Sequence, residues 1–188
     1  MIIAETQFKG LYTIEPKVHE DFRGFFMEVY RRDVFREQGL DLTFVQDNQS
    51  RSKKNVIRAL HFQYDPPIGK LMRVTLGEAF VAAVDIRKNS PTFGKHLTFN
   101  LSDKNKKMLY ASPGFAMGFC AMSDLMDMQY RFTALYNPKG EANILWNDTD
   151  IGIVWPISGP ILSDRDKSAQ DFKTWLAKPE SDLFSYMY

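Results

Sequence analysis

Short runs of alternating apolar and polar residues, each closed by a glycine, proline or asparagine turn, recur along almost the whole chain. Such runs fit pleated strands with one buried face. They cover Leu11–Val18, Phe25–Tyr30, Thr43–Asn48, an apolar-rich run ending at Tyr64, Lys70–Leu76 and Ala79–Ile86. Further along come His96–Asn100, Lys107–Ala111, Asp127–Ala134 and Ile144–Trp146. The turn signals between them are His19–Gly24, Pro66-Pro67, Gly77-Glu78, Asn89–Gly94, Pro113-Gly114 and Pro138-Lys-Gly140, while Gln49–Lys54 reads as a polar, basic loop. Helical character is confined to Asp33–Gly39, with Asp33 as cap and Gly39 as stop, and to a segment from Ser163 to about Ala177. There Ser163-Asp-Arg-Asp166 resembles a capping box, with aspartate in place of glutamate or glutamine. Many short strands and one terminal helix predict an all-β fold, a β-barrel or double-sheet jelly roll. With 188 residues, no repeat and no linker, one domain over 1–188 is expected.

Composition narrows the function classes. Lys plus Arg is 24 and Asp plus Glu is 23, so no bulk charge recruits nucleic acid or an anionic membrane; phosphate binding must come from local clusters. Cys120, the single cysteine, excludes an intrachain disulfide and multi-thiolate metal sites, and its apolar run predicts a buried, inert thiol. Met1-Ile-Ile-Ala4 meets Glu5 at once and no long uncharged apolar segment follows, so the expectation is a cytoplasmic protein.

The stretch from Asn55 to Val74 carries the densest chemistry: two cations, Arg58 and Lys70, flank one titratable imidazole, His61. It reads as strand, turn, strand, which puts His61 close to Lys70 on a paired strand. Period-two alternation gives Ala59, His61 and Gln63 one face. Arg58 has the opposite parity and shares a pocket with His61 only through a twist or bulge. A metal-binding jelly roll needs several converging histidines, yet the chain has only His19, His61 and His96, with Gln63 where a second ligand would sit. No glycine-rich phosphate loop, dinucleotide fingerprint or nucleophile elbow is present. The chemistry left is acid–base work without metal or organic cofactor. Proton abstraction beside a carbonyl needs a base near neutral pH, a cation for the enolate oxygen and an opposing acid.

The ordered motifs Asp21-Phe-Arg-Gly24 with Phe26 and Glu28, Val45-Gln-Asp-Asn48, Arg58-Ala-Leu-His61 and Gly69-Lys70 open a longer pattern. It continues with Val84-Asp-Ile-Arg87, Ser90-Pro-Thr-Phe-Gly94, Pro113-Gly-Phe-Ala116, Trp146-Asn-Asp148, Trp155-Pro156 and Leu162-Ser163 through Asp166. Together, over roughly residues 1 to 170, they resemble the dTDP-4-dehydrorhamnose 3,5-epimerase family, metal-free cupins acting on nucleotide-linked 4-keto-6-deoxy sugars. The resemblance implies His61 as the base alpha to the C4 ketone and Asp166 as its paired carboxylate. It implies Tyr130 as the opposing acid and Lys70 as the cation on the enolate oxygen. Arg23 and Arg58 match diphosphate contacts, and Glu28, Gln46, Asn48 and Tyr136 match the surroundings of the nucleoside. It further implies a homodimer whose partner subunit supplies some of these groups.

Three positions depart from that pattern. Ala59 stands for a glycine, where its methyl narrows the pocket floor; Val81 stands for a pocket carboxylate; Met117 stands for a histidine expected to line the site. Fewer hydrogen bonds to the sugar lead to the expectation of a C3-only epimerase of deoxysugar biosynthesis using a dTDP- or CDP-linked sugar. The alternatives are inversion at both C3 and C5, a keto-isomerase on the same scaffold, and a non-catalytic nucleotide-sugar-binding cupin. The aromatic tail Phe184–Tyr188 falls outside the resemblance.

Overall fold

A computed structural model of the chain describes residues 1–186. Six strands form one antiparallel sheet. In spatial order they are β1 (Ile2–Glu5), β2 (Leu11–Glu15), β10 (Met108–Ala111), β7 (Lys70–Leu76), β12 (Leu125–Phe132) and β5 (Gln46–Lys53). Five form a second: β13 (Glu141–Asn143), β6 (Ile57–Gln63), β11 (Phe115–Ala121), β8 (Glu78–Asp85) and β9 (His96–Ser102). The hairpin of β3 (Val18–Asp21) and β4 (Gly24–Met27) stands apart as its own two-stranded sheet. This is a cupin-type jelly roll, as the punctuated strand pattern predicts.

Three apolar clusters hold the layers. Between the sheets, Leu11, Met72, Val74, Leu109, Met126 and Met128 meet Val81, Ala83, Phe115, Met117 and Phe119. Alternation in β8 and β11 sends their other residues outward, where Ala82, Val84, Ala116 and Cys120 pack under Trp155, Phe172, Trp175 and Phe184. Cys120 is buried, and desolvation pushes its thiol up to about 11, as the inert-thiol expectation requires. A third cluster packs Phe35 and Leu40 against Ile14, Leu71 and Tyr110 on the outside of the six-stranded sheet. The tail is thus partly explained: Phe184 stacks edge-on to Phe62, and Tyr186 lies near the Arg87 guanidinium. Met187 and Tyr188 lie outside the described residues.

Several expectations need correction. The expected loop Gln49–Lys54 is a strand as far as Lys53, the body of β5, whose alternation is polar on both faces; only Lys54 lies in a turn. Arg51 and Gln49 pair outward with Asp127, while Asn48, Ser50 and Ser52 turn inward, so no apolar stripe marks the strand. The segments around His61 and Lys70 are not a hairpin: β6 and β7 belong to opposite sheets. The terminal helix is broken into α2 (Asp164–Lys167) and α3 (Phe172–Leu176), because Gln170 is drawn into a backbone bridge with Ile144 and its carbonyl accepts from Leu145 N. Asp171 then caps the restart, accepting from Thr174 N. The early helix α1 (Arg32–Glu37) begins after Arg31, so Asp33 sits within its first turn; Gly39 ends it at φ +88°, a conformation open chiefly to glycine.

The fully buried Asp85 binds Arg87 through two contacts of 2.8 and 2.7 Å and also accepts from the Ser90 and Thr92 hydroxyls. Burial raises the Asp85 pKa, but these donors outweigh it and hold the carboxyl below its ordinary value. Asp85→Ala leaves the Arg87 guanidinium buried and unpaired. It is expected to cost about 3–5 kcal/mol of unfolding free energy, read from urea denaturation.

Candidate active site

A cavity of ≈ 290 Å³ opens between the two sheets. One wall comes from the five-stranded sheet: Arg58 and His61 of β6, Met117 and Phe119 of β11, and Glu141 of β13. The facing wall comes from the six-stranded sheet: Gln46 and Asn48 of β5, Lys70 and Met72 of β7, and Tyr130 and Phe132 of β12. Tyr136, on the loop after β12, completes the rim. Most of the residues expected at the site therefore line a single space. The apolar Met72, Phe119 and Phe132, together with Glu141, were not foreseen.

Arg58 and His61 share this space because β6 carries one extra residue against β11. Met117 pairs with His61 but Phe119 pairs with Arg58, a bulge that brings two residues of opposite parity to one side. The same slip turns Ala59 outward. It is fully buried beside Leu60 in the outer cluster, and its methyl faces Gly118, where any added Cβ would lie 2.4 Å away. Ala59 therefore does not narrow the pocket floor. Val81 is likewise buried in the inter-sheet core, off the cavity lining. Gln63 does not share the pocket with His61 either. Its amide bonds Pro66 O, Leu135 O and Asn137 N, and so anchors the loop that carries Tyr136.

His61 Nε2 lies 2.5 Å from Asp166 Oδ1. Asp166 also fills the capping role predicted from its motif: its N–H donates to Ser163 Oγ, and the Ser163 hydroxyl donates to Asp166 Oδ2. Burial raises the Asp166 pKa, yet the hydrogen bond and charge of His61, the Ser163 hydroxyl and Arg165 together hold it below the ordinary value. A fixed carboxylate on Nε2 leaves Nδ1 as the nitrogen free to take a proton. Lys70 Nζ donates to the His61 carbonyl at 3.1 Å and lies over the Phe132 ring. Desolvation pushes the Lys70 pKa down to about 8, opposed by Glu141 and reinforced by Arg165.

Tyr130 enters from the sheet opposite His61, its hydroxyl unpartnered among the described residues. Gln46 accepts from Tyr136 N and donates to Asn48 Oδ1, while Asn48 Nδ2 is buried without a partner among the described residues. A buried amide donor facing a cavity is a group awaiting a polar ligand. Tyr136 turns its hydroxyl toward Glu141 at 2.8 Å, at the His61 end of the space. Arg23 and Glu28 lie elsewhere: Arg23 is on the exposed β3–β4 hairpin, paired with Asp21, and Glu28 follows it, paired with Arg31. Of the other histidines, His96 bonds Ile151 O and His19 sits on the hairpin. The arrangement is a cleft with a carboxylate-held imidazole on one side, a phenol on the other and an ammonium beside them. Chemically it suits moving a proton from one face of a carbon to the other.

The family model for dTDP-4-dehydrorhamnose 3,5-epimerase matches residues 5–174. A dTDP-4-dehydrorhamnose 3,5-epimerase of Salmonella typhimurium is 49% identical over 172 residues, covering 90% of this chain and 94% of its own. The crystal structure of a dTDP-6-deoxy-D-glucose-3,5-epimerase from Legionella pneumophila, in complex with dTDP-4-keto-L-rhamnose, superposes with a TM-score of 0.93. It is 40% identical and covers 100% of this chain and 99% of that one. A 3'-monoepimerase from Streptomyces bikiniensis, in complex with dTDP-quinovose, has a TM-score of 0.86 at 30% identity, covering 90% of this chain and 87% of that one.

The low value for Lys70 can be read directly. With lysines labelled by ¹³C reductive methylation, one resonance, absent from Lys70→Met, is expected to titrate near pH 8, well below the ordinary lysine value of 10.5. Titration together with the surface lysines would refute the desolvation of this ammonium.

Proposed function

The chain belongs to the dTDP-4-dehydrorhamnose 3,5-epimerase family, and on that premise we propose that it inverts both C3 and C5 of a dTDP-linked 4-keto-6-deoxy sugar. It is an isomerase of the racemase and epimerase class, acting on a nucleotide sugar. The observation that carries the proposal is the opposition of His61 and Tyr130 across one cavity, with Lys70 beside them. His61 removes the proton alpha to the C4 ketone, and the electron pair moves onto the ketone oxygen, where the Lys70 ammonium stabilises the enolate. Tyr130 returns a proton to the opposite face, inverting the centre, and bulk water then resets both groups. C5 is also alpha to the same ketone, so a second round needs only that the bound sugar present that carbon to His61.

The C3-only expectation rested on Val81 and Met117 together. Val81 does not line the cavity, which leaves Met117 as the single altered contact, and the two-centre relatives are nearer in sequence than the single-centre one. Both considerations favour inversion at two centres and a thymidine diphosphate carrier. Gln46, Asn48 and Arg58 supply amide and guanidinium contacts for the nucleotide. Arg23 and Glu28 reach a nucleotide only if the hairpin belongs to a neighbouring cavity. Phe22, Phe25 and Phe26 on that hairpin are 98%, 54% and 68% exposed, an apolar surface that a second copy of the chain would cover. A homodimer with Arg23 and Glu28 acting in trans accounts for both facts.

In heavy water, purified protein with dTDP-4-keto-6-deoxyglucose is expected to incorporate deuterium at both C3 and C5 by NMR. His61→Asn lowers that rate by roughly 10²–10⁴-fold. Exchange at C3 alone would return the single-centre reading. No exchange, with the nucleotide sugar still bound, would leave a binding protein. For the dimer, mixing inactive His61→Asn with inactive Arg23→Ala subunits is expected to restore activity, since one hybrid site is then whole. Failure to complement would put Arg23 in its own subunit's site or outside any site.

A further inference from the structure

Among the described residues, Glu141 is the one carboxylate side chain lining the cavity, and the proton transfers proposed above give it no role. Its side chain is only 10% exposed. One oxygen, Oε2, is pinned twice, by Arg165 Nη2 at 2.8 Å and by the Tyr136 hydroxyl at 2.8 Å. The other, Oε1, lies 3.9 Å from His61 Nδ1, within ion-pair reach of the nitrogen that Asp166 leaves free. We propose that Glu141 is a positioning residue for the base. Its clamped carboxylate faces Nδ1, so the proton taken from the sugar arrives on an imidazole held between two carboxylates. The proposal rests on the epimerase reading and adds a group to it.

The titratable and charged groups around the imidazole come from five elements. Asp166 of α2 and Glu141 of β13 flank the ring; Lys70 of β7 and Tyr130 of β12 face it across the cavity; Arg58 sits on β6 itself. Arg165 stands behind Glu141 and keeps that carboxylate from swinging into the space. Before proton abstraction, Glu141 faces a neutral ring and gains little from it. Afterwards it faces an imidazolium, and the attraction exists only in the charged intermediate and the transition states around it. An interaction that strengthens along the reaction lowers the barrier without tightening substrate binding.

The test is the pH dependence of deuterium exchange into dTDP-4-keto-6-deoxyglucose by the full chain, compared for wild type, Glu141→Gln and Arg165→Gln. Glu141→Gln keeps the shape and the contact to Tyr136 but removes the charge. At neutral pH its exchange kcat is expected to fall on the order of tenfold, with KM changing less. The acidic limb of its profile moves to lower pH, because the protonated ring has lost a carboxylate. Arg165→Gln removes the opposing cation and moves that limb to higher pH. A purely structural network would move neither limb, and unmoved limbs in the folded variants would overturn the proposal. Should the wild type exchange neither carbon, the epimerase reading fails instead. The imidazole NMR titration of His61 in the substrate-free proteins then decides the role of Glu141, an unchanged titration in both variants refuting it.

Discussion

The hydrogen bond between His61 and Asp166 ties the middle of a barrel strand to a short helix near the other end of the chain. Asp166 lies in the first turn of that four-residue helix, more than a hundred positions after His61. Asp166 is held from its own side by Ser163, so its carboxylate arrives already oriented and leaves one oxygen for the ring. The segment that carries it also lays Phe172, Trp175 and Phe184 over the outer face of the five-stranded sheet. Covering that face and positioning the His61 imidazole are thus one act of folding. A capping box, ordinarily a local device for satisfying helix N–H groups, here fixes the tautomer of a reactive imidazole.

The second constraint is the one-residue excess in β6. A regular strand would put Arg58 and His61 on opposite faces, leaving a pocket with a base but no neighbouring guanidinium. With the bulge, His61 pairs with Met117 while Arg58 pairs with Phe119, and both look inward. Gly118 lies between those two partners with Ala59 packed against it, so the slip occurs where the facing strand has no side chain to resist it. The polar stripe of β5 then completes the cavity from the other sheet. Asn48 keeps an amide nitrogen there that is buried without a partner among the described residues.

Much of this was legible in the sequence because its signals are local. Strand alternation, turn residues and the Ser163–Asp166 cap each depend on a few neighbouring positions, and they yielded the jelly roll and the buried Cys120. The family pattern then brought His61, Lys70, Tyr130 and Asp166 to one site. What escaped was set by tertiary context. β5 has no apolar face to reveal it, because its inner side lines a polar cavity. β6 and β7 read as a hairpin because only two prolines, an isoleucine and a glycine with few other residues part them, and nothing local says that they enter different sheets. Glu141 follows Gly140 at the end of a turn and looks like a solvated charge until Arg165 and Tyr136 are seen to close around it.

The departures at Val81 and Met117 read differently once they are in place. Both belong to the same inter-sheet cluster, which also contains Met72, Phe119, Met126 and Met128. Val81 faces Phe119 across the β8–β11 ladder, while Met117 reaches the cavity itself. An acid and a histidine at these positions would be polar groups next to a methionine-rich core, each needing a hydrogen-bond partner. Apolar residues at both positions remove that requirement and extend the core up to the cavity. The polar work of the site then falls to His61, Asp166, Glu141, Arg165 and Lys70, which form one connected set of charges. Apolar residues beside that set strengthen the interactions within it, because fewer polar atoms are left to screen them. Met117 is therefore compatible with the proposed enolisation, which runs through His61, Lys70 and Tyr130 and uses no polar group at position 117.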